Sequence, residues 1–271
     1  MERNNFDVFV IGSGGAGQTV AEACAKNGLS VAIADHRAFG GTCANRGCDP
    51  KKVLLGATEV YEHSKNLYKK GIPTIPEIHW KSLQKFKRTF TKAVPSATES
   101  ELRELGIKLY HQSPEFKDKN TLSVEGKTVY ADKIVLATGQ RPRPLDFKGS
   151  DYLNTSDDFL SLKKIPKRIV FIGAGYVGME LAHIAARCGS EVTLIEHGKR
   201  PLKVFDEDMV DHLTEVSKAL GIRFRFNSKI DKIEELRKNL KISYTTKGEE
   251  KTLKAQIFTY PSWSYDVKYM V

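Results

Sequence analysis

The chain has 271 residues, 40% hydrophobic and 28% charged, which is length enough for two domains that each bury a core. No apolar run approaches a membrane span, and Phe6–Ile11 reads as a buried strand rather than a targeting segment, so neither insertion nor export is expected. The formal charge of +10 is spread along the chain without an arginine-rich or aromatic-interleaved tract, which favours a solvated basic surface that attracts anionic dinucleotides over nucleic-acid binding.

Phe6–Ile11 is a nearly continuous apolar run, as in a strand covered on both faces. Gly12, Gly14 and Gly17 follow at once, then a helical pattern over Gln18–Asn27 that Gly28 stops. A second strand, Leu29–Ala34, ends in Asp35. The physical logic of a dinucleotide site is complete in this order. Glycines permit a tight turn and close approach to a pyrophosphate, the helix N-terminus offers free amides, and the acid can bind ribose hydroxyls. Cys24 lies among alanines on the helix and reads as packing.

The stretch Gly40–Lys52 comes next and carries Cys43 and Cys48, with four residues between them. The loop they bound is too short for the largest chain-entropy stabilisation. Redox chemistry fits the pair, with one thiolate attacking a substrate disulfide and the other resolving the mixed disulfide. Two buried cysteines packing as small apolar residues fit as well. Half of a zinc site is a third reading, but no second Cys/His pair at ligand spacing completes it, and no metal is expected. With only four cysteines and no export signal, a reducing, cytoplasmic setting is expected, where a Cys pair is more often catalytic than structural.

Pro50–Lys70 is predicted as one helix, with Val53, Leu54, Ala57, Val60, Tyr61, Leu67 and Tyr68 on its apolar face. Cys48 would then lie just before a helix N-terminus, where the dipole lowers a thiol pKa. Trp80–Leu105 is predicted as a second long, basic helix kinked at Pro95. Ile107–Tyr110, Thr121–Val124 and Thr128–Tyr130 read as short strands of a small antiparallel meander, and Lys133–Ala137 as another buried strand closed by Thr138-Gly139. His111 reads as a surface residue as readily as anything else.

Pro142, Pro144 and the polar run Ser150–Asp158 form a linker. The first pattern then restarts: strand Arg168–Ile172, glycines Gly173, Gly175 and Gly178, helix Met179–Cys188, strand Glu191–Ile195, and Glu196 at its end. This is an internal repeat and a second dinucleotide site. Glu196 favours a free ribose 2′-OH, hence NADH, while Lys199 and Arg200 leave NADPH open. Cys188 ends its helix and reads as structural. A helix Asp206–Leu220, a strand Ile222–Phe226 and a hairpin near Ile230–Thr246 complete the unit.

Two dinucleotide units with a C-x4-C in Gly40–Lys52 resemble the class I pyridine nucleotide–disulfide oxidoreductases, among them glutathione reductase, dihydrolipoyl dehydrogenase and mercuric reductase. The resemblance runs from about Phe6 to about Ala255. It implies FAD on the first unit, held by Gly12, Gly14, Gly17, Asp35, Gly41, Thr42 and Lys52 with Ala137-Thr138-Gly139 closing the site. It implies NAD(P)H on the second, held by Gly173, Gly175, Gly178 and Glu196. By resemblance Cys48 faces the flavin, Cys43 attacks substrate, and Lys52 pairs with Glu180 beside the flavin ring, tuning its electron affinity. The implied activity passes electrons from NAD(P)H through FAD to the Cys43–Cys48 disulfide, and on to a small-molecule or protein disulfide. Lys51 departs from the family, which usually has Ser there.

The tail departs further. Residues 256–271 look like the extreme C-terminus of the family's interface domain, so a large internal deletion near Ala255 is expected, with most of the homodimerising domain absent. The family's base is a His before a Pro; here Tyr260 precedes Pro261 and Tyr265 stands where a Glu is expected, with Asp266 next to it. Tyrosine titrates near 10 and cannot replace that His. Packing of a short terminal helix accounts for Tyr260, Trp263 and Tyr265.

The expected fold is α/β: two Rossmann-like, three-layer units with small antiparallel meanders, the interface domain largely missing. The expected divisions are an FAD domain over 1–155, an NAD(P) domain over 156–255 and a remnant over 256–271. The expected function is a flavin-dependent disulfide oxidoreductase; the alternative is an impaired fragment that binds nucleotides without turnover.

Overall fold

Runs of Val, Ile and Phe bounded by glycine build a parallel sheet in each half of the chain, because such strands are stable only when helices or a second sheet cover both faces. The computed structural model describes residues 4–142, 144–237, 239–259 and 263–264. Two compact units result. One takes the chain up to Pro50 and Arg88–Arg141; the other takes Lys51–Lys87 and Pro142–Ser264. The stretch Lys51–Lys87 thus belongs with the second unit, unlike the continuous ranges expected from sequence.

The chain runs through β1 (Asn5–Ile11), α1 (Gly15–Lys26), β2 (Val31–Ala34), α2 (Gly41–Arg46), α3 (Cys48–Asn66), α4 (Trp80–Thr91) and α5 (Val94–Glu104). Then come β3 (Lys108–Tyr110), β4 (Glu115–Phe116), β5 (Thr121–Val124), β6 (Lys127–Leu136) and β7 (Arg141–Pro142). The sheet of the first unit has the order β3-β2-β1-β6-β5-β4. Its strands β3, β2, β1 and β6 are parallel, with Val8 opposite Val31 and Val10 opposite Ile33. Val8, Val10, Val31, Ile33 and Leu109 pack on one face with Ala21 of α1 and Leu102 of α5; Phe9, Ala32, Ala34 and Tyr110 pack on the other.

Two expectations change here. The predicted Trp80–Leu105 helix is two helices, because Pro95 lacks an amide hydrogen and is accommodated in the first turn of a new helix rather than inside an old one. The predicted strands Thr128–Tyr130 and Lys133–Ala137 are one strand, β6, which pairs parallel with β1 and antiparallel with β5. The meander therefore extends the parallel sheet.

The second unit contains α6 (Ser156–Leu160), β8 (Arg168–Ile172), α7 (Tyr176–Arg187), β9 (Glu191–Ile195), α8 (Glu207–Ala219) and β10 (Arg223–Arg225). It continues with β11 (Ser228–Leu236), β12 (Asn239–Thr246), β13 (Glu249–Ala255), β14 (Ile257–Thr259) and β15 (Trp263–Ser264). Strands β10-β9-β8-β14 form a parallel sheet and β11-β12-β13 an antiparallel one. Ile257–Thr259, expected outside this unit, supplies its edge strand, with Ile257 opposite Ile169. One face of the parallel sheet packs Ile169, Phe171 and Leu194 against Leu181 and Ala185 of α7, Leu54 of α3 and Trp80 of α4. The other packs Val170, Ile172 and Ile195 against Ile233, Ile242 and Tyr244 of the antiparallel sheet. Phe159 and Phe171 are fully buried, each contributing about 1.5–3 kcal/mol of apolar burial. Asp206 caps α8 by accepting from the Met209 amide, and Thr155 with Asp158 forms a capping box on α6.

Candidate functional site

In the first unit, β1 runs directly into the glycine loop, and the Gly12 amide donates to the Ala34 carbonyl at 2.8 Å. Gly12 has φ +110, and a Cβ there would run into the Ala137 carbonyl oxygen. Only glycine fits, so Gly12 and Ala137, widely separated in sequence, lie together. Gly14 is the N-cap of α1 and brings no side-chain cap, which leaves first-turn amides for an anion. Gly41, at φ +70, packs so closely on Gly14 that a Cβ would overlap the Gly14 Cα. Gly12, Gly14, Gly17, Gly41 and Ala137 are therefore assembled around the start of α1. Thr42 lies half-buried in α2, while Thr138 and Gly139 are exposed beyond β6.

Asp35 organises this loop. Its Oδ2 accepts from the Ser13 amide at 2.9 Å and the Ser13 hydroxyl at 2.7 Å, and its Oδ1 accepts from the Arg37 amide at 2.9 Å. A carboxylate offers about four acceptor positions, so capacity remains for a ribose hydroxyl.

The second unit repeats the device. The Gly173 amide donates to the Ile195 carbonyl at 2.8 Å, and Gly175 is the uncapped N-cap of α7. Glu196 Oε2 accepts from the Ala174 amide at 2.7 Å and Oε1 from the Gly198 amide at 2.8 Å. Each acid thus grips the residue after the first glycine and the amide two residues beyond itself. Gly178 is buried in α7, and Glu196 is 9% exposed. Open space around Gly175, where an added Cβ meets nothing within 4 Å, fits a dinucleotide phosphate close to the backbone.

Cys43 and Cys48 are joined as a disulfide with their Cα atoms 4.6 Å apart, inside the range such a bond requires. Asn45 holds the intervening α2 in shape, donating from Nδ2 to the Phe39 carbonyl at 2.8 Å and the Gly41 carbonyl at 2.9 Å. Cys43 is exposed and Cys48 half-buried. Cys48 is the first residue of the 19-residue α3 rather than the residue before a helix, so its thiol, once reduced, lies in the first turn, where amide dipoles favour a thiolate. The other two cysteines are inert by comparison: Cys24 packs in the first unit, and burial pushes the Cys188 thiol up to about 11.

The predicted Lys52–Glu180 pair is corrected. Lys51 Nζ makes the bond to Glu180 Oε1, and Lys52 is exposed. Successive helix residues point about 100° apart, and Lys51 shares a stripe with buried Leu54 and Thr58, whereas Lys52 does not. The same stripe reaches Glu62, which accepts from Arg187 Nε at 2.9 Å. Val60, Leu67 and Tyr68, predicted on the apolar face, are exposed.

Sequence gave no signal for the network behind that pair. Ser217 Oγ donates to the Leu213 carbonyl at 2.6 Å, so it accepts from His183 Nε2 at 2.8 Å. His183 Nδ1 then accepts from Arg187 at 2.9 Å. Burial first, and the Arg187 charge second, pull His183 down to about 4 and hold it neutral. His111 lies at the surface, 3.3 Å from Glu99, with its ring tilted against that of Phe39 at 5.1 Å between centroids.

Tyr260, Pro261, Tyr265 and Asp266 lie outside the described residues. Trp263–Ser264 is a short strand rather than part of a terminal helix. Among the described residues, no helix is long and apolar enough to cross a membrane.

A family model described as pyridine nucleotide-disulphide oxidoreductase matches residues 6–260. The chain is similar to glutathione reductase of Burkholderia cepacia, 32% identical over 247 residues that cover 91% of this chain and 55% of that protein. It is 29% identical over 253 residues to dihydrolipoyl dehydrogenase 2 of Haloarcula marismortui, covering 90% of this chain and 53% of that one. In fold it matches the Cu(II) complex of a mutant of the HOCl-induced flavoprotein disulfide reductase RclA from Escherichia coli, with a TM-score of 0.82, 23% identity, and coverage of 96% of this chain and 56% of that one. The chain spans about half the length of the curated relatives it matches.

Proposed function

The chain belongs to the pyridine nucleotide-disulphide oxidoreductase family, and on that premise we propose that it uses NAD(P)H and FAD to reduce the Cys43–Cys48 disulfide and, through it, a disulfide or similar acceptor. The observation that carries this is the disulfide itself, closed between an exposed cysteine and one at the first turn of a long helix.

FAD and NAD(P)H, when bound, supply the two electrons. Gly12, Gly14, Gly17, Gly41, Thr42, Asp35 and the Ala137-Thr138-Gly139 segment would hold the first; Gly173, Gly175, Gly178 and Glu196 would hold the second. Two electrons and two protons open the disulfide to two thiols. The Cys43 thiolate attacks one sulfur of the acceptor disulfide, expelling the other as a thiolate that takes up a proton. The Cys48 thiolate, favoured by the α3 amides, then attacks Cys43 Sγ, restores the disulfide and releases the second acceptor thiol. Exposure of Cys43 supports its role as the attacking sulfur, and the half-buried position of Cys48 supports its role as the resolving one. We assign Lys51, with Glu180, the place in electrostatic tuning that the family pattern gives to Lys52.

NADH is the proposed reductant. A buried carboxylate at the end of β9 repels a ribose 2′-phosphate and accepts from a free 2′-hydroxyl. A cytoplasmic, reducing setting is proposed from the chemistry, since an exchanging Cys pair works against a reduced thiol pool.

The visible spectrum tests the proposal. The purified protein is expected to be yellow, and added NADH is expected to bleach the flavin and raise a long-wavelength absorbance band. Cys48→Ser is expected to keep the flavin and lose the band, while Cys43→Ser keeps both. A protein that stays colourless after incubation with FAD would support nucleotide binding without turnover and sink the enzyme reading.

A further inference from the structure

The segment after Glu196 does more than follow the acid. Leu202 adopts φ +49, a conformation that bulky residues rarely take and that persists only where its surroundings enforce it. Its amide donates to the Ala174 carbonyl at 2.9 Å. The Ala174 amide already donates to Glu196 Oε2. One peptide of the glycine loop is therefore gripped on both sides, by Glu196 through its N–H and by Leu202 through its C=O. Ser13, its counterpart in the first unit, gives its carbonyl to the Gln18 side chain instead, so the second grip is peculiar to this site.

The turn that contains Leu202 is tied by two sets of contacts. Arg200 spreads its guanidinium over the turn that follows, donating from one nitrogen to the Phe205 carbonyl and from the other to the carbonyls of Lys203 and Phe205, each at 3.3 Å. The Phe205 amide closes the same turn on the Leu202 carbonyl at 2.9 Å. The guanidinium is committed to backbone oxygens, and a planar fork suits that task as a lysine ammonium does not.

We propose that Arg200 is a positioning residue for dinucleotide binding: it folds the 200–206 turn so that Leu202 can hold the glycine loop, and it is not a ligand of a ribose phosphate. This rests on the assignment of the second unit to NAD(P)H. It differs from the reading of Arg200, drawn from the sequence, as a residue that leaves NADPH open.

Isothermal titration of the purified chain with NADH and with NADPH tests it, using the wild type, Arg200→Ala and Arg200→Lys, with circular dichroism melts to show that each is folded. Arg200→Ala is expected to weaken both nucleotides by one common factor, about tenfold. Arg200→Lys is expected to be impaired to a similar degree for both, since charge without the fork does not restore the turn. Hydrogen exchange at the Leu202 amide is expected to quicken in both variants. Loss confined to NADPH, or recovery in Arg200→Lys, would show a phosphate ligand and overturn the proposal. Unchanged affinity for both nucleotides overturns it as well. A folded wild type that binds neither nucleotide removes the NAD(P)H assignment itself and the proposal with it, an outcome distinct from failure of the variants alone.

Discussion

Lys51 Nζ lies 2.6 Å from Glu180 Oε1, joining α3 to α7 across 129 residues of sequence. Two turns along α7, Arg187 reaches back to Glu62 of the same α3 at 2.9 Å. The two ion pairs bracket the contact between these helices, and both run through side chains that are only partly accessible.

Replacement of each lysine by methionine separates them. Lys51→Met is expected to cost about 1 kcal/mol of stability, the upper end for a partly exposed pair. Lys52→Met is expected to change stability by less than about 0.5 kcal/mol, as for an exposed position outside such features. Urea midpoints measure both; equal losses would show that Glu180 exchanges partners.

His183 makes the second unit sensitive to acid. Its folded pKa of about 4 lies below the usual 6.5, so the stability it contributes is complete above pH 6.5 and is lost as pH falls from 6.5 towards 4. The shift corresponds to about 3 kcal/mol. Below that window the protonated ring faces the Arg187 cation, and the Glu62 carboxylate acts on it favourably. Urea unfolding between pH 7.5 and 4.5 is expected to show this loss, and His183→Asn is expected to flatten the profile.

The cysteines are expected to differ in reactivity. In the reduced protein at pH 7.5, exposed Cys43 is expected to be alkylated by iodoacetamide about a hundredfold faster than Cys188, whose thiol is held near 11. Peptide mapping by mass spectrometry measures the rates. Rapid labelling of Cys188 would show that the core around it opens.

Gly41 supports the cradle through its contact with Gly14. Gly41→Ala meets both a positive φ and the Gly14 Cα, and is expected to cost about 1–3 kcal/mol and to lower the flavin-to-protein ratio after purification. Gly28→Ala also meets a positive φ, but its Cβ has open space around it. It is expected to lose some stability and retain flavin.

Much of the two glycine-loop units was legible in the sequence, because their logic is local. Strand, glycines, helix, strand and acid follow within about 30 residues, and each step constrains the next through backbone geometry. Asp35 and Glu196 stand where that order places them, and each binds the amide after the first glycine. The Cys pair was legible as a spacing, and its chemistry only through resemblance.

What sequence left open depended on partners brought from far away. Lys51 and Lys52 are neighbours of the same type, and only the rotation of α3 against α7 decides which meets Glu180. Ile257–Thr259 looked like part of a different domain until it paired with β8, since three residues carry no register of their own. Arg200 was read only as a nearby charge that leaves NADPH open, and the tertiary structure adds that its guanidinium folds back on its own turn. By itself the sequence determined two nucleotide folds and a cysteine pair, because those rest on short-range backbone constraints. The tertiary structure decided which charges meet and which turn bonds to the second glycine loop, because such partners are set by packing between distant segments.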